Sequence, residues 1–298
     1  MTGAEPTPES GPASRHRSFP ALALAAVLLA SGVRAHGPIH EQILQLTSEL
    51  AEHPDDPDRL AHRGDLYLRH GLSGEALADF ERLAVLQPGE ITNAFRLGAA
   101  ALELGRTNEA SRHLERFVQA CPGSAAGQRL LGRALWAAGR PRDAADCFGV
   151  AITLDADAPP DAYLEQARAL MAASADTPEV LVCLDAGMER HGPLPALQLL
   201  AMDLELSRGA TDLALQRLDA LAARAERKER WLARRGDLLL QAGRSAEARE
   251  AFLVARRALD ALPDKQRRAW TATELRRQLE TRLAELSEAP EAAHSQPR

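Results

Sequence analysis

The sequence predicts an all-α fold of stacked antiparallel helix pairs, and two observations carry this prediction. The first is a glycine that recurs every 34 residues, at Gly64, Gly98 and Gly132, with a second glycine seven residues after each. The second is a composition dominated by alanine, leucine and arginine, which favour helices, with only 4% aromatic residues. A fixed period of this length is typical of solenoids, in which each unit completes the core of its neighbours.

Each position of the period has a physical role. The first glycine allows two helices to approach closely, and the second ends the first helix in the left-handed conformation that a tight turn needs. An alanine and a large apolar residue then follow on the second helix, and a proline ends it. These later positions are Ala76, Ala110 and Ala144, then Phe80, Leu114 and Phe148, then Pro88 and Pro122.

The same pattern returns near the end of the chain as Gly236, Gly243, Ala248 and Phe252. A weaker version of it is Met202, Gly209, Ala214 and Leu218. We therefore expect five glycines in turns between paired helices, several with positive φ: Gly71, Gly105, Gly139, Gly209 and Gly243. We also expect five large apolar residues to be buried: Phe80, Leu114, Phe148, Leu218 and Phe252.

One pair departs from the pattern. Around Tyr163 and Ala167 the turn glycine is absent, and Ser174 stands in its place. The second helix is predicted to begin at Thr177-Pro178, with Val180, Leu184 and Gly187 at the packing positions. An irregular pair is expected here.

The pattern resembles the tetratricopeptide repeat family, and its clearest unit is RLAHRGDLYLRHGLSGEALADFERLAVLQP, from Arg59 to Pro88. The resemblance covers most of residues 57–260. It implies a right-handed superhelix of about six repeats whose concave groove binds a protein or peptide without a cofactor. The expected repeats are 57–90, 91–124, 125–158, 159–193, 194–228 and 229–262.

A capping helix is expected at each end of the array. Residues 36–56 place Ile39, Ile43, Leu46 and Leu50 on one apolar stripe of a helix that starts at Pro38. Residues 263–288 do the same with Trp270, Leu275, Leu279, Leu283 and Leu286. Residues 289–298 are expected to be a disordered tail.

Residues 1–35 have the features of a disordered leader and a signal peptide. Arg15 and Arg17 precede an apolar centre at residues 21–30, and Val33-Arg34-Ala35 provides small residues for cleavage. The apolar centre is shorter than the ~20 residues of a membrane-spanning helix. We expect an exported bacterial protein, periplasmic or extracellular. If the segment is not cleaved, the alternative is a membrane-anchored helper subunit of an envelope complex.

Composition and motifs exclude several functions. The net charge of −6 argues against nucleic acid as a partner. No catalytic serine, zinc-protease, phosphate-loop or dinucleotide motif occurs, so no enzyme activity and no cofactor are predicted. The three cysteines, Cys121, Cys147 and Cys183, match no metal-binding spacing and cannot all pair with one another.

The candidate partner-binding residues occupy first-helix positions that line the groove in the family. They are Phe95, Arg129, Arg133, Trp136, Arg168 and Met171. Arginine and tryptophan are enriched in binding hot spots, so we expect an acidic or mixed acidic–apolar polypeptide partner. Two alternatives remain open, namely that Trp136 fills the core and that Arg129 and Arg133 form an ordinary solvated pair.

A second functional hypothesis concerns metal. Cleavage after Ala35 would leave a free amino group on His36, with His40 four residues later. Two imidazoles and an amine could hold copper, which makes a metal-handling accessory protein the alternative to a scaffold.

Overall fold

The computed structural model describes residues 38–292, and the side chains of residues 39–287. Within that range it contains fifteen helices and no strand. The predicted leader, the signal peptide, His36 and the end of the tail lie outside the described residues.

The helices follow one another along the chain with short connections. They are α1 (Pro38–Glu52), α2 (Pro57–Arg69), α3 (Ser73–Leu86), α4 (Thr92–Glu103), α5 (Thr107–Ala120), α6 (Ala125–Ala137), α7 (Pro141–Leu154), α8 (Pro160–Ala172), α9 (Thr177–His191), α10 (Pro195–Ser207), α11 (Thr211–Arg224), α12 (Glu229–Gln241), α13 (Ser245–Asp260), α14 (Asp264–Arg267) and α15 (Trp270–Ala292). One compact unit holds α1–α4 and a second holds α5–α15. Within each unit, consecutive helices pack against each other as in a helical solenoid, except that α13 packs on α15 past the short α14.

The turns between paired helices confirm the glycine prediction. All five expected glycines have φ between 71° and 76°. In the α6–α7 turn, Arg140 N donates to Leu135 O at 2.9 Å and Gly139 N donates to Trp136 O at 3.0 Å. These bonds satisfy carbonyl groups that the end of a helix otherwise leaves unpaired, and they require the left-handed residue between them.

The α8–α9 turn keeps this geometry without a glycine. Ser174 has a φ of 56°, and it is the one non-glycine residue with positive φ in the described chain. Ala175 N donates to Leu170 O, and Ser174 N donates to Met171 O, each at 3.0 Å. The missing glycine therefore leaves the turn intact, because its two hydrogen bonds hold a serine in the strained conformation.

The recurring small residue fits a large ring on the paired helix. A Cβ atom built on Gly132 would lie 2.7 Å from Phe148 Cε1, and one on Gly236 would lie 2.3 Å from Phe252 Cε1. The five large residues predicted to be buried are at most 3% exposed, which confirms that prediction. In the α8/α9 pair the roles are exchanged, because the small residue Gly187 lies on the second helix against Tyr163 of the first.

The two flanking helices bury most of the apolar residues of their predicted stripes. In the first unit, Ile43, Leu46 and Leu50 of α1 are buried, and in the second, Leu279 and Leu283 of α15 are buried. The placement of Trp270 on the α15 stripe is wrong. Trp270 is 79% exposed, because it is the first residue of the helix and Ala272, two residues on, takes the buried place.

The end of α15 also differs from the prediction. The helix runs through Pro290 to Ala292, one turn beyond the expected boundary at residue 288. None of the helices within residues 38–292 is both long and apolar enough to cross a membrane.

Candidate interaction surface

The six predicted binding residues divide between the two units. Phe95 is half-buried on α4 in the first unit, and the other five lie on α6 and α8 in the second. We therefore build the candidate site from the second unit alone. The α6/α8 surface consists of Arg129, Arg133, Trp136, Glu165, Arg168 and Met171.

Helix periodicity places these residues on one face of each helix. Positions 129, 133 and 136 are spaced i, i+4 and i+7 on α6, while Leu131 and Leu135 of the same helix are buried. Positions 165, 168 and 171 are spaced by three on α8. Ser124 caps α6 by accepting a hydrogen bond from Gly127 N at 3.1 Å, which sets the start of that helix.

The two arginines of α6 are bound by one carboxylate of α8. Arg129 Nε donates to Glu165 Oε2 at 2.7 Å. Arg133 Nε and Nη2 donate to Glu165 Oε1 at 2.8 and 2.6 Å. Charge-assisted bonds of this kind hold both guanidinium groups in place. Arg129 and Arg133 are therefore both ion-paired with Glu165, although the side chain of Arg133 remains 48% exposed to solvent.

Glu165 was not among the sequence-predicted residues, although a signal for it exists. It follows Arg133 by 32 residues and Arg129 by 36, close to one repeat period. In the first unit, Arg96 and Asp65 form the matching pair, 31 residues apart, with Arg96 Nε at 3.4 Å from Asp65 Oδ1. Oppositely charged residues about one repeat period apart, each on the first helix of its pair, thus indicate an ion pair.

Trp136 is not a core residue. Its side chain and that of Met171 are each 41% exposed. A tryptophan exposed to this extent leaves a large apolar area in contact with water. Trp136 therefore lies at the surface and does not fill the core.

A pocket of about 240 Å³ opens beside Trp136. Its lining residues are Arg133, Trp136, Phe148, Glu165 and Arg168. Phe148 is 3% exposed and also packs in the core of the α6/α7 pair, so it provides a fixed apolar wall.

Arg168 is the unpaired cation of this pocket. It is exposed, and no residue of the described chain forms an ion pair with it. The reason lies in the sequence, because Leu200 stands 32 residues later, where Arg133 has Glu165. The ion-pairing pattern is interrupted at this position.

The described residues provide no comparable chemical site. No group of three or more His, Cys, Asp and Glu residues among them could hold a metal ion. Burial raises the pKa of the Cys147 thiol to about 11 and that of Cys183 to about 12. Both thiols are therefore protonated, and unreactive, at neutral pH. For the metal hypothesis, His40 lies on α1, while His36 falls outside the described residues.

The helix pairs, left-handed turns and small-to-aromatic contacts define a helical-repeat protein. The family model for the tetratricopeptide repeat matches residues 95–159 and 129–177. Residues 95–177 of the chain therefore belong to the tetratricopeptide repeat family. In a direct sequence comparison, no curated protein matches it.

Several solved structures share the fold. The C-terminal part of a tetratricopeptide repeat protein from Cytophaga hutchinsonii is 14% identical, with a TM-score of 0.60 over 82% of this chain and 97% of its own. A repeat protein from Parabacteroides merdae is 15% identical, with a TM-score of 0.50 over 87% and 97%. YrrB, described as a tetratricopeptide repeat protein with an unusual peptide-binding site, is 19% identical, with a TM-score of 0.50 over 59% and 89%.

Proposed function

We propose that this protein is a non-catalytic interaction scaffold that binds a partner polypeptide at the α6/α8 surface. The observation that carries the proposal is the half-exposed ring of Trp136 beside a pocket that also contains Arg168, which forms no ion pair with any described residue. Tryptophan and arginine next to a pocket are the usual composition of a binding hot spot. The peptide-binding site of YrrB, a protein of the same fold, is consistent with this function.

The surface is also rigid enough to serve as a binding site. Glu165 connects α6 to α8 through three hydrogen bonds, and Phe148 is fixed in the core behind the pocket. A preformed surface loses little conformational entropy when a partner binds. A polypeptide could therefore dock against α6 and α8 without rearranging them.

The test compares two exposed tryptophans. Proteins that associate with the tagged chain in its native host are identified, and the affinity of each purified candidate is measured for the wild type and two variants. We expect Trp136→Ala to weaken binding by tenfold or more, since truncating a hot-spot residue costs about 2 kcal/mol. Trp270→Ala is the matched control, because Trp270 is 79% exposed and lies on α15.

Two outcomes would reject this assignment. A partner that binds Trp136→Ala as tightly as the wild type does not use the α6/α8 surface. A partner that loses affinity only with Trp270→Ala would place the interaction on the C-terminal helix. Circular dichroism of both variants checks that helicity is unchanged.

We further propose that the protein is exported and acts in the periplasm or outside the cell. The support is the basic, apolar and small-residue pattern of residues 15–35. N-terminal sequencing of the protein recovered from its host should then begin at His36. A chain that keeps its apolar segment would instead favour the membrane-anchored helper subunit.

A further inference from the structure

We infer that Glu165 restricts the α6/α8 surface to ligand segments that carry one carboxylate next to a large apolar side chain. This inference rests on the function proposed above and adds the chemistry of the partner. It follows from the ion pairs that Arg129, Arg133, Glu165 and Arg168 form, or do not form, with one another.

The surface contains three guanidinium groups and one carboxylate, Glu165. Glu165 uses both oxygens, with Arg129 on Oε2 and Arg133 on Oε1. Its side chain is only 24% exposed, so these bonds are partly shielded from water. Two of the three arginines are therefore already engaged within the protein.

Arg168 is the cation that remains for a ligand. Its guanidinium can donate two parallel hydrogen bonds to a carboxylate, which is a strong and directional contact. The pocket of about 240 Å³ has room for a side chain, whereas sites for whole small molecules usually span roughly 300–1,000 Å³. An aspartate or glutamate side chain of the partner matches both the charge and the size.

The apolar part of the ligand has its own contact area. Trp136 and Met171 are each 41% exposed, and Trp136 shares the pocket with Arg168. A large apolar side chain next to the acidic one could cover these exposed groups and gain the free energy of burying them. The surface therefore favours an acidic residue with an apolar neighbour.

Glu165 limits the number of carboxylates. A second ligand carboxylate that approached Arg129 or Arg133 would meet the Glu165 carboxylate, which those arginines already hold. Like charges placed together at an interface oppose binding. Glu165 thus occupies the place that a second acidic side chain would need.

The probe is a randomised nonapeptide library with blocked ends, selected on the full chain and its variants. We expect the wild type to enrich peptides with one Asp or Glu beside Leu, Phe or Trp. The best peptide is then synthesised with fluorescein, together with a Gln-for-acid version and a version with a second acidic residue. Affinities are measured by fluorescence anisotropy at low and high salt.

Three variants give separate expectations. Arg168→Gln should weaken the one-acid peptide about tenfold, down to the affinity of the Gln version, because a bond to a charged group is lost. Glu165→Gln removes a negative charge from the pocket, so it should strengthen both peptides, and it should strengthen the two-acid peptide about tenfold more than the one-acid peptide, with a steeper salt dependence. Arg249→Gln, an exposed arginine on α13, is the control and should change nothing.

The outcomes distinguish failure of the carboxylate inference from failure of peptide binding at the α6/α8 surface. If the wild type enriches no peptides, or if Trp136→Ala binds them normally, peptide binding at this surface is rejected. If peptides bind through Trp136 but acidic residues are not enriched, only the carboxylate inference is rejected. Unchanged selection by Glu165→Gln would reject the restricting role of Glu165 even if Arg168→Gln behaves as expected.

Discussion

At the scale of single residues, Ser174 is the position where local preference and structure disagree. Its backbone occupies the left-handed region that glycine occupies in five turns within residues 38–292. A side chain in that region costs roughly 1–2 kcal/mol relative to its ordinary conformation. The hydrogen bonds from Ser174 N and Ala175 N to α8 offset this cost and keep the turn closed.

Replacing the serine by glycine, and a turn glycine by serine, should therefore change the free energy of unfolding in opposite directions. Ser174→Gly should raise the free energy of unfolding by about 1 kcal/mol, because the strain disappears at a modest cost in chain entropy. Gly139→Ser should lower it by about the same amount. A Cβ atom on Gly139 would meet nothing within 4 Å, so only its φ of 76° opposes the change.

Urea denaturation followed by circular dichroism measures both changes. Ala138→Gly is the control, because Ala138 has a φ of −81° and gains nothing from a glycine. We expect Ala138→Gly to be slightly destabilising. A destabilised Ser174→Gly would mean that the serine side chain itself supports the turn.

At the scale of elements, the contact between a small residue and a ring determines how close two paired helices lie. Gly64, Gly132 and Gly236 each face a phenylalanine of the second helix at a distance that excludes a Cβ atom. The rings fill the space that the missing side chain leaves, and they are almost fully buried. The helix pair is thus the unit that the repeat period encodes.

The α12/α13 pair allows this to be tested away from the α6/α8 surface. Gly236→Ala should destabilise the protein by about 1–3 kcal/mol, because its Cβ would overlap Phe252 in a packed core. Phe252→Leu makes room for the added methyl group, so the two substitutions should not be additive. The double variant should lose about 1 kcal/mol less free energy of unfolding than the sum of the losses of the two single variants. The free energy of unfolding of all three variants, measured in urea, tests this coupling.

Gly123→Ala is the control for the Gly236 and Phe252 variants. A methyl group added at Gly123 would have no neighbour within 4 Å, and Gly123 has no positive φ. Its substitution should therefore change the free energy of unfolding by less than about 0.5 kcal/mol. Strictly additive losses at Gly236 and Phe252 would contradict the ring-to-glycine explanation.

At the scale of the whole molecule, stability is built from contacts between neighbouring helices within each unit. In the second unit, α6 packs on α7, α7 on α8 and α8 on α9, and this sequence continues to α13, which packs on α15. Ion pairs also link helices two apart in the order, as when Arg217 of α11 contacts Asp185 of α9 at 2.7 Å. A solenoid of this kind should respond to damage locally.

Phe252→Ala tests this locality. The substitution should cost about 3–5 kcal/mol as a core truncation. Amide hydrogen exchange should show the largest loss of protection in α12 and α13, a smaller loss in α11 and α15, and little change in α6. An equal loss along the whole second unit would indicate a single cooperative core instead.

The sequence by itself determined the helix pairs, their turns and their buried rings, because each of these depends on spacings within one repeat. Gly139 and Phe148 could be assigned from their distance to Gly132 alone. Only the tertiary structure decided which charges meet and which apolar groups stay exposed. Three such outcomes depend on which faces of different helices come together. Glu165 binds two arginines, Arg168 has no carboxylate partner among the described residues, and Trp270 lies outside the core. That arrangement follows from the packing of whole helices, which the spacing of residues along a single helix does not specify.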